Sequence, residues 1–304
     1  ISMAHEHHHK STNYNRAFGI GVFLNVAFVV VEAVFGFAAG SLALLADAGH
    51  NLSDVLGLLL AWGAGYLAQR SATHRRTYGW RKSTILAALL NAAILMFAMG
   101  GIAWEAIRRF SEPAHVAGKT VIIVAAIGVV INTATALLFI SGRKSDLNIR
   151  GAFLHMAADA GVSAGVVVGG IAILITGGLW IDPLISLIIA AIILFGTWGL
   201  MRDSFNLAMD AVPEGINPGA VKALLADLPG VEGVHDLHIW AMSTTETALT
   251  AHLLKPDDGN DDTVIEQAGR ELHDKFGIQH ITLQWERNPR ADHCGSQCDT
   301  TKTV

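Results

Sequence analysis

Charged residues are scarce in this chain of 304: Asp, Glu, Lys and Arg make up 15%, against 52% hydrophobic residues and a mean hydropathy of +0.43. A single water-soluble core cannot absorb that much apolar surface, so the composition points to a membrane class. The formal net charge of -5 gives no basis for nucleic-acid binding. Cysteine is nearly absent, and Cys294 and Cys298 both fall in the tail beside His293. In a reducing cytosol they would not form a structural disulfide; a soft metal contact and two free thiols stay open as readings. The opening "ISMAHEHHHKSTNYNR" has no apolar core followed by a small-residue cleavage site, so no secretory signal peptide is expected. No low-complexity run and no solenoid-length repeat occurs.

Six apolar stretches, each of roughly 20 residues or more, can each cross a hydrocarbon layer about 30 Å thick. They run over 16–38, 41–69, 82–107, 116–140, 148–176 and 181–201. Lys10, Arg16, Arg70, Arg75, Arg76, Arg81, Lys82, Arg143, Lys144, Arg150 and Arg202 lie at the termini and in the even-numbered connections. The odd-numbered connections hold only Arg108, Arg109 and Lys119. The positive-inside bias therefore puts both termini in the cytosol.

After Met201 the composition becomes that of a soluble domain. "NPGAVKALLADLPG" reads as a helix with Pro218 near its start and Pro229/Gly230 at its stop. "VEGVHDLHIWAMS" and "TALTAHLLK" alternate as strands. "DDTVIEQAGRELHDKFG" is an amphipathic helix ending at Gly277, and "IQHITLQWE" is a third strand. The order is αββαβ, a two-layer α+β unit. Four regions follow: a His-containing segment 1–15, a transport domain 16–206, a soluble domain 207–288 and a polar tail 289–304.

Within the apolar half, one short pattern occurs twice. His50 and Asp54 in the second stretch, and His155 and Asp159 in the fifth, share the spacing H-x-x-x-D. Residues four apart share a helix face, so each pair can aim an imidazole and a carboxylate at one point. Two such helices side by side offer two nitrogen and two oxygen donors, a set that suits tetrahedral Zn²⁺. Ca²⁺ and Mg²⁺ prefer six or more oxygens. A lone intramembrane histidine would read equally well as a helix-to-helix hydrogen bond, but two matching pairs favour an ion pathway. Asp47, one turn before His50, could serve as a fifth ligand, but reads rather as a partner fixing that imidazole or as a group on the entry path. Asn25 and Glu32 share a face of the first stretch; with Asn91, Asn132 and Asp182 they are left outside the site.

These residues lie in motifs that resemble the cation diffusion facilitators, in particular their zinc-transporting bacterial branch: "SLALLADAGHNLSD", "YGWRKSTILAALLNA", "LNIRGAFLHMAADAGVSAGVV", "DPLISLIIA", "VHDLHIW", "LTAHLL" and "FGIQHITLQWE". The resemblance covers nearly the whole chain. It implies six transmembrane helices, a cytosolic metallochaperone-like, ferredoxin-like domain and a homodimer in the plasma (inner) membrane. The implied activity is efflux of divalent metal, chiefly Zn²⁺, in exchange for protons by alternating access, with no organic cofactor. The family's transport ligands match His50, Asp54, His155 and Asp159, and His at position 50 matches the zinc-preferring type. His235 and His252 match family ligand positions in the soluble domain, with His238, His280 and Glu286 on neighbouring strand positions. Leu283 and Trp285 stand where other members have ligands. The loop after the second helix offers only His74, without a carboxylate near it. His5, His7, His8 and His9 read either as a metal-collecting segment or as the remnant of an expression tag. The short "SGRKSDLN" lacks the His-rich loop of eukaryotic vesicular members.

Two other classes are weighed against transport. A membrane sensor or scaffold binding zinc in its soluble domain would not need the ligand pairs in the second and fifth stretches. An intramembrane metalloprotease would want a motif such as H-E-x-x-H, and none occurs, so no enzyme is expected.

Overall fold

The computed structural model describes residues 15–140, 147–256 and 261–287. The N-terminal histidines and both cysteines lie outside these, so the readings attached to them are not tested. Six long helices come first: α1 (Asn15–Ala39), α2 (Leu42–Ala68), α3 (Ser83–Ser111), α4 (Gly118–Phe139), α5 (Leu147–Thr176) and α6 (Ile181–Ala208). Among the described residues four of these, α3 to α6, contain stretches long and apolar enough to cross a membrane. In α2 the polar run from Asp47 to Asp54 lowers the average, and α1 contributes the shorter apolar stretch Asn25–Ala39. The ends expected from hydropathy hold to within a few residues except that α6 continues to Ala208 instead of stopping near Met201. Hydropathy marks where a helix leaves the oil, and nothing in "RDSFNLA" breaks it.

The chain divides into two compact units, and α2, α3 and α6 each contribute to both. The first unit, 1–56 with 94–197, is built inside out relative to a soluble protein. Phe97, Trp104, Ile175 and Phe195 are exposed, whereas Glu32, Asp47, Asn51, Asp159, Ser163 and Asp182 are buried. Its apolar core runs through Phe28, Leu44, Met99, Val121, Val166 and Ile189. Helix α4 packs along α5 and also against α1. Gly118 and Gly170 let α4 and α5 approach closely: a Cβ on Gly170 would lie 3.3 Å from the Gly118 carbonyl oxygen and 2.7 Å from Ile122 Cγ1. A second constraint sits where α2 begins. The Asp182 carboxylate, at the head of α6, accepts from Ser41 Oγ and, at 2.8 Å, from the Leu42 backbone N–H. The Ser41 hydroxyl in turn accepts from the Leu44 N–H at 3.2 Å. Together these satisfy donors that the first turn of a helix cannot pair internally.

The second unit, 57–93 with 198–304, holds the soluble domain. Its elements are α7 (Pro218–Ala226), β1 (Gly233–Ala241), β2 (Thr247–Leu254), α8 (Asp261–Phe276) and β3 (His280–Glu286). Asn217 caps α7 by accepting from the Gly219 and Ala220 N–H groups. The sheet order is β1-β2-β3, with β1 antiparallel to β2 and β2 parallel to β3. The parallel pair needs a crossover, which α8 provides. One sheet face and the two helices bury Val221, Leu225, Ile239, Leu249, Leu253, Ala268 and Leu272. Strand β1 is not the simple alternation expected. The register shifts between His235 and His238, with Asp236 at φ 50, because Val234 and Leu237, three apart, both face inward. A bulge absorbs the odd residue. In the same unit, Lys82 pairs with Asp210 at 2.6 Å, Arg81 with Glu246 at 2.9 Å, and the Thr244 N–H donates to Thr84 Oγ1 at 3.1 Å.

Replacing Asp182 by Ala removes the acceptor for two buried donors. The expected cost is about 1–3 kcal/mol for each donor left unpaired, read as a lower unfolding midpoint of the purified protein in detergent, with Asp182→Asn falling between Ala and wild type.

Candidate metal centre

Helix α2 carries His50 and Asp54, α5 carries His155 and Asp159, and all four side chains converge. His50 Nε2 lies 3.4 Å from Asp159 Oδ1 and 3.8 Å from Asp54 Oδ2. His155 Nε2 lies 3.2 Å from Asp54 Oδ2 and 3.6 Å from Asp159 Oδ2. Each imidazole therefore meets the carboxylate of its own helix and that of the other. The two rings stand edge to face with centroids 6.1 Å apart. Donor atoms of Asp54, His155 and Asp159 all lie within 4.8 Å of one another, close enough to share an ion, and His50 stands beside this trio at 3.4 Å from Asp159 and 3.8 Å from Asp54. Asp54 Oδ2 and Asp159 Oδ2 are nevertheless buried without a hydrogen-bond partner among the described residues.

Exposure is graded across the four. The side chain of His155 is 42% exposed, those of Asp54 and His50 are 26% and 20%, and that of Asp159 is 2%. The centre is thus open at His155 and closed at Asp159.

Asp47 is fully buried but does not do what its spacing from His50 suggests. Its carboxylate accepts from Ser163 Oγ of α5 at 2.8 Å, and His50 Nδ1 has no hydrogen-bond partner among the described residues. The Ser163 bond joins α2 to α5 through Asp47. Glu32, set aside in the sequence, is also fully buried; it lies beside Asp47 and accepts from Asn51 Nδ2 at 3.3 Å. Its signal was present as a lone carboxylate in an apolar helix, but its neighbours on α2 are not encoded in α1.

The soluble domain has a second cluster. Glu286 reaches His235 Nε2 at 3.0 Å through one oxygen and His252 Nδ1 at 3.0 Å through the other. His235 and His252 are register partners on β1 and β2, with ring centroids 5.3 Å apart. Asp236, which the sequence reading missed, is turned by the bulge to 3.6 Å from His252 Nε2 and 3.0 Å from His238 Nε2. His280 is not part of this group; its Nε2 accepts from Arg81 Nη1 at 2.6 Å. His74 is exposed and belongs to no potential ligand cluster among the described residues.

Comparison with known proteins accounts for both parts of the chain. Residues 19–207 match the family described as "Cation efflux transmembrane domain", and residues 213–288 match "Cation efflux protein, cytoplasmic domain". The "Cadmium, cobalt and zinc/H(+)-K(+) antiporter" of Bacillus subtilis is 35% identical over 285 residues, covering 92% of this chain and 91% of that protein. The "Metal cation efflux system protein CzcD" of Cupriavidus metallidurans is 35% identical over 290 residues, covering 95% and 92%. The "Zinc transporter ZitB" of Escherichia coli is 35% identical over 298 residues, covering 94% of each chain.

If the four side chains hold one ion, Asp159→Asn keeps the shape of the centre and removes half of its negative charge. In a His235→Ala/His252→Ala background, to silence the second cluster, this variant is expected to lose the zinc-induced rise in Tm that the background protein shows. A rise of undiminished size would place the bound ion elsewhere.

Proposed function

The chain belongs to the cation efflux family, and on that premise we propose that it exports Zn²⁺ from the cytosol in exchange for protons, with His50, Asp54, His155 and Asp159 as the transport ligands. The observation that carries this reading is the approach of two imidazoles and two carboxylates from α2 and α5, each imidazole 3.2–3.8 Å from a carboxylate of both helices. Six spans, cytosolic termini in the plasma (inner) membrane, the division into domains 16–206 and 207–288, and a homodimer complete it.

The mechanism follows from competition for lone pairs. A metal binds only deprotonated donors, so protons reaching the four side chains displace it. Asp54 and Asp159 supply the charge that draws a divalent cation into an apolar bundle, and the two imidazoles favour a borderline ion over hard oxygen-seeking ones. Because each helix carries one half of the ligand set, a rocking of α2 against α5 would change every cross-helix separation together. Loading from the cytosol and release to the other side then need no chemistry beyond ligand exchange, as suits a transporter. His235, His252 and Glu286 would take a second zinc ion in the soluble domain, supported by a bridging carboxylate already within 3.0 Å of both rings.

In proteoliposomes with an imposed pH gradient, Asp54→Ala and Asp159→Ala are each expected to reduce zinc uptake to the empty-vesicle background. Wild-type flux in either variant would refute the ligand assignment. Exchanging an imidazole for a carboxylate in His50→Asp makes the donor set harder, so competition by Mn²⁺ against zinc is expected to strengthen. An unchanged competition profile would show that position 50 does not set selectivity.

A further inference from the structure

The connection from α2 to α3 belongs to neither metal cluster. It holds Arg70, Arg75, Arg76, Arg81 and Lys82 and no Asp or Glu. Acids elsewhere in the same unit answer two of these cations: Glu246 pairs with Arg81 at 2.9 Å and Asp210 with Lys82 at 2.6 Å. Arg70, Arg75 and Arg76 have no acidic partner among the described residues. The positive-inside bias accounts for cations gathering in this connection. It does not account for the cavity beside them.

That cavity has a volume of about 700 Å³ and lies wholly within the second unit. Arg75, Arg76, Arg81 and Lys82 line it on the side of the connection. Leu60 and Leu67 from the last turns of α2, and Leu86 and Leu90 from the first turns of α3, supply apolar wall. Leu86 and Leu90 are half exposed or more. The cationic side is held in shape. Thr73 and Arg76 exchange backbone hydrogen bonds, each of 3.0 Å, which places His74 and Arg75 at the tip of a closed turn. Gly79, at φ 69, donates its N–H to the Arg76 carbonyl at 2.9 Å. The Arg76 guanidinium lies 3.8 Å above the Trp80 ring. A guanidinium stacked on its face keeps its N–H edge for an anion, and that planar fork matches two phosphate oxygens.

The two halves of the lining ask for different things. Inorganic phosphate would gain from Arg75 and Arg76 but nothing from the leucines, and a neutral lipid would do the opposite. A ligand with a phosphate at one end and acyl chains at the other meets both. Its setting agrees, because the leucines lie in helices that face hydrocarbon and the arginines lie where those helices end. Tyr78 and Trp80, beside the arginines, are the aromatic types that favour the level of the headgroups.

We infer that this cavity binds an anionic phospholipid, with its phosphate on Arg75 and Arg76 and its acyl chains along Leu60, Leu67, Leu86 and Leu90. The lipid ties the end of α2 to the start of α3 through the connection between them. The inference does not depend on which ion the chain carries.

The test uses the full-length protein, delipidated in detergent, and follows unfolding during titration with phosphatidylglycerol, phosphatidylcholine or inorganic phosphate. Phosphatidylglycerol is expected to raise Tm in a saturable way, by about 2 °C or more, while the other two leave it unchanged. Native mass spectrometry is expected to show phosphatidylglycerol retained under activation that strips phosphatidylcholine. The double variant Arg75→Gln/Arg76→Gln is expected to lose both effects. Arg75→Gln alone, at an exposed turn, is expected to reduce them without unfolding the chain, and Lys119→Gln, in a different connection, to keep them. An equal rise with phosphatidylcholine or with inorganic phosphate overturns the lipid assignment. A second copy closing the cavity would leave phosphatidylglycerol without effect, and an unchanged Tm overturns the site. A rise of undiminished size in Arg75→Gln and in the double variant overturns it as well.

Discussion

Two imidazoles, each 3.2–3.8 Å from two carboxylates within an apolar helical bundle, set the conditions for the residues around them. Each carboxylate is unfavourable in hydrocarbon unless something positive or polar faces it. Neither helix can meet that need alone, because His50 and Asp54 together offer only half of a coordination shell. The pairing of α2 with α5 is therefore both a packing problem and a charge problem. Ser163 contributes to the first by bonding Asp47 across the same interface, and Asp182 helps fix the start of α2 through Ser41 and Leu42.

The convergence of His50, Asp54, His155 and Asp159 was legible in the sequence because helical geometry turns a four-residue spacing into a shared face, and the spacing occurs twice. What surrounds them was not. Asp47 sits at the right interval to support His50, yet Ser163 and Glu32 claim its carboxylate, and that outcome depends on which helices pack beside α2. Glu32 alone in α1 has no sequence partner, so its importance emerges only once Asn51 and Asp47 are brought to it. Periodicity within one helix predicts a face; it does not predict what the face meets.

The soluble domain shows the same limit in a strand. Val234, Leu237 and Ile239 were read as an ordinary alternation, although a spacing of three between the first two cannot keep both on one face of a regular strand. The bulge at Asp236 resolves the conflict and, in doing so, turns a carboxylate toward His238 and His252. His235 and His252 were visible as candidates, while Asp236 was hidden by the assumption of regular geometry. His280 lies on the neighbouring strand as expected but away from the pair, opposite Ala248, whereas His252 lies opposite Gln284.

Hydropathy and side-chain chemistry thus answer different questions along α2. The run from Asp47 to Asp54 weakens the helix as an apolar span, and the same run supplies two donors to the centre shared with α5. A bilayer tolerates such a helix when its polar face is turned inward and its other faces stay apolar. Leu52, Leu58, Leu59 and Trp62 are exposed while Asp47 and Asn51 are fully buried, so α2 meets that condition. Asp47 and Asn51 lie on the same inward side as His50 and Asp54 but are held by different neighbours. One helix face therefore serves two chemically distinct groups: a mixed nitrogen and oxygen set with α5, and an oxygen-only set that also draws in α1.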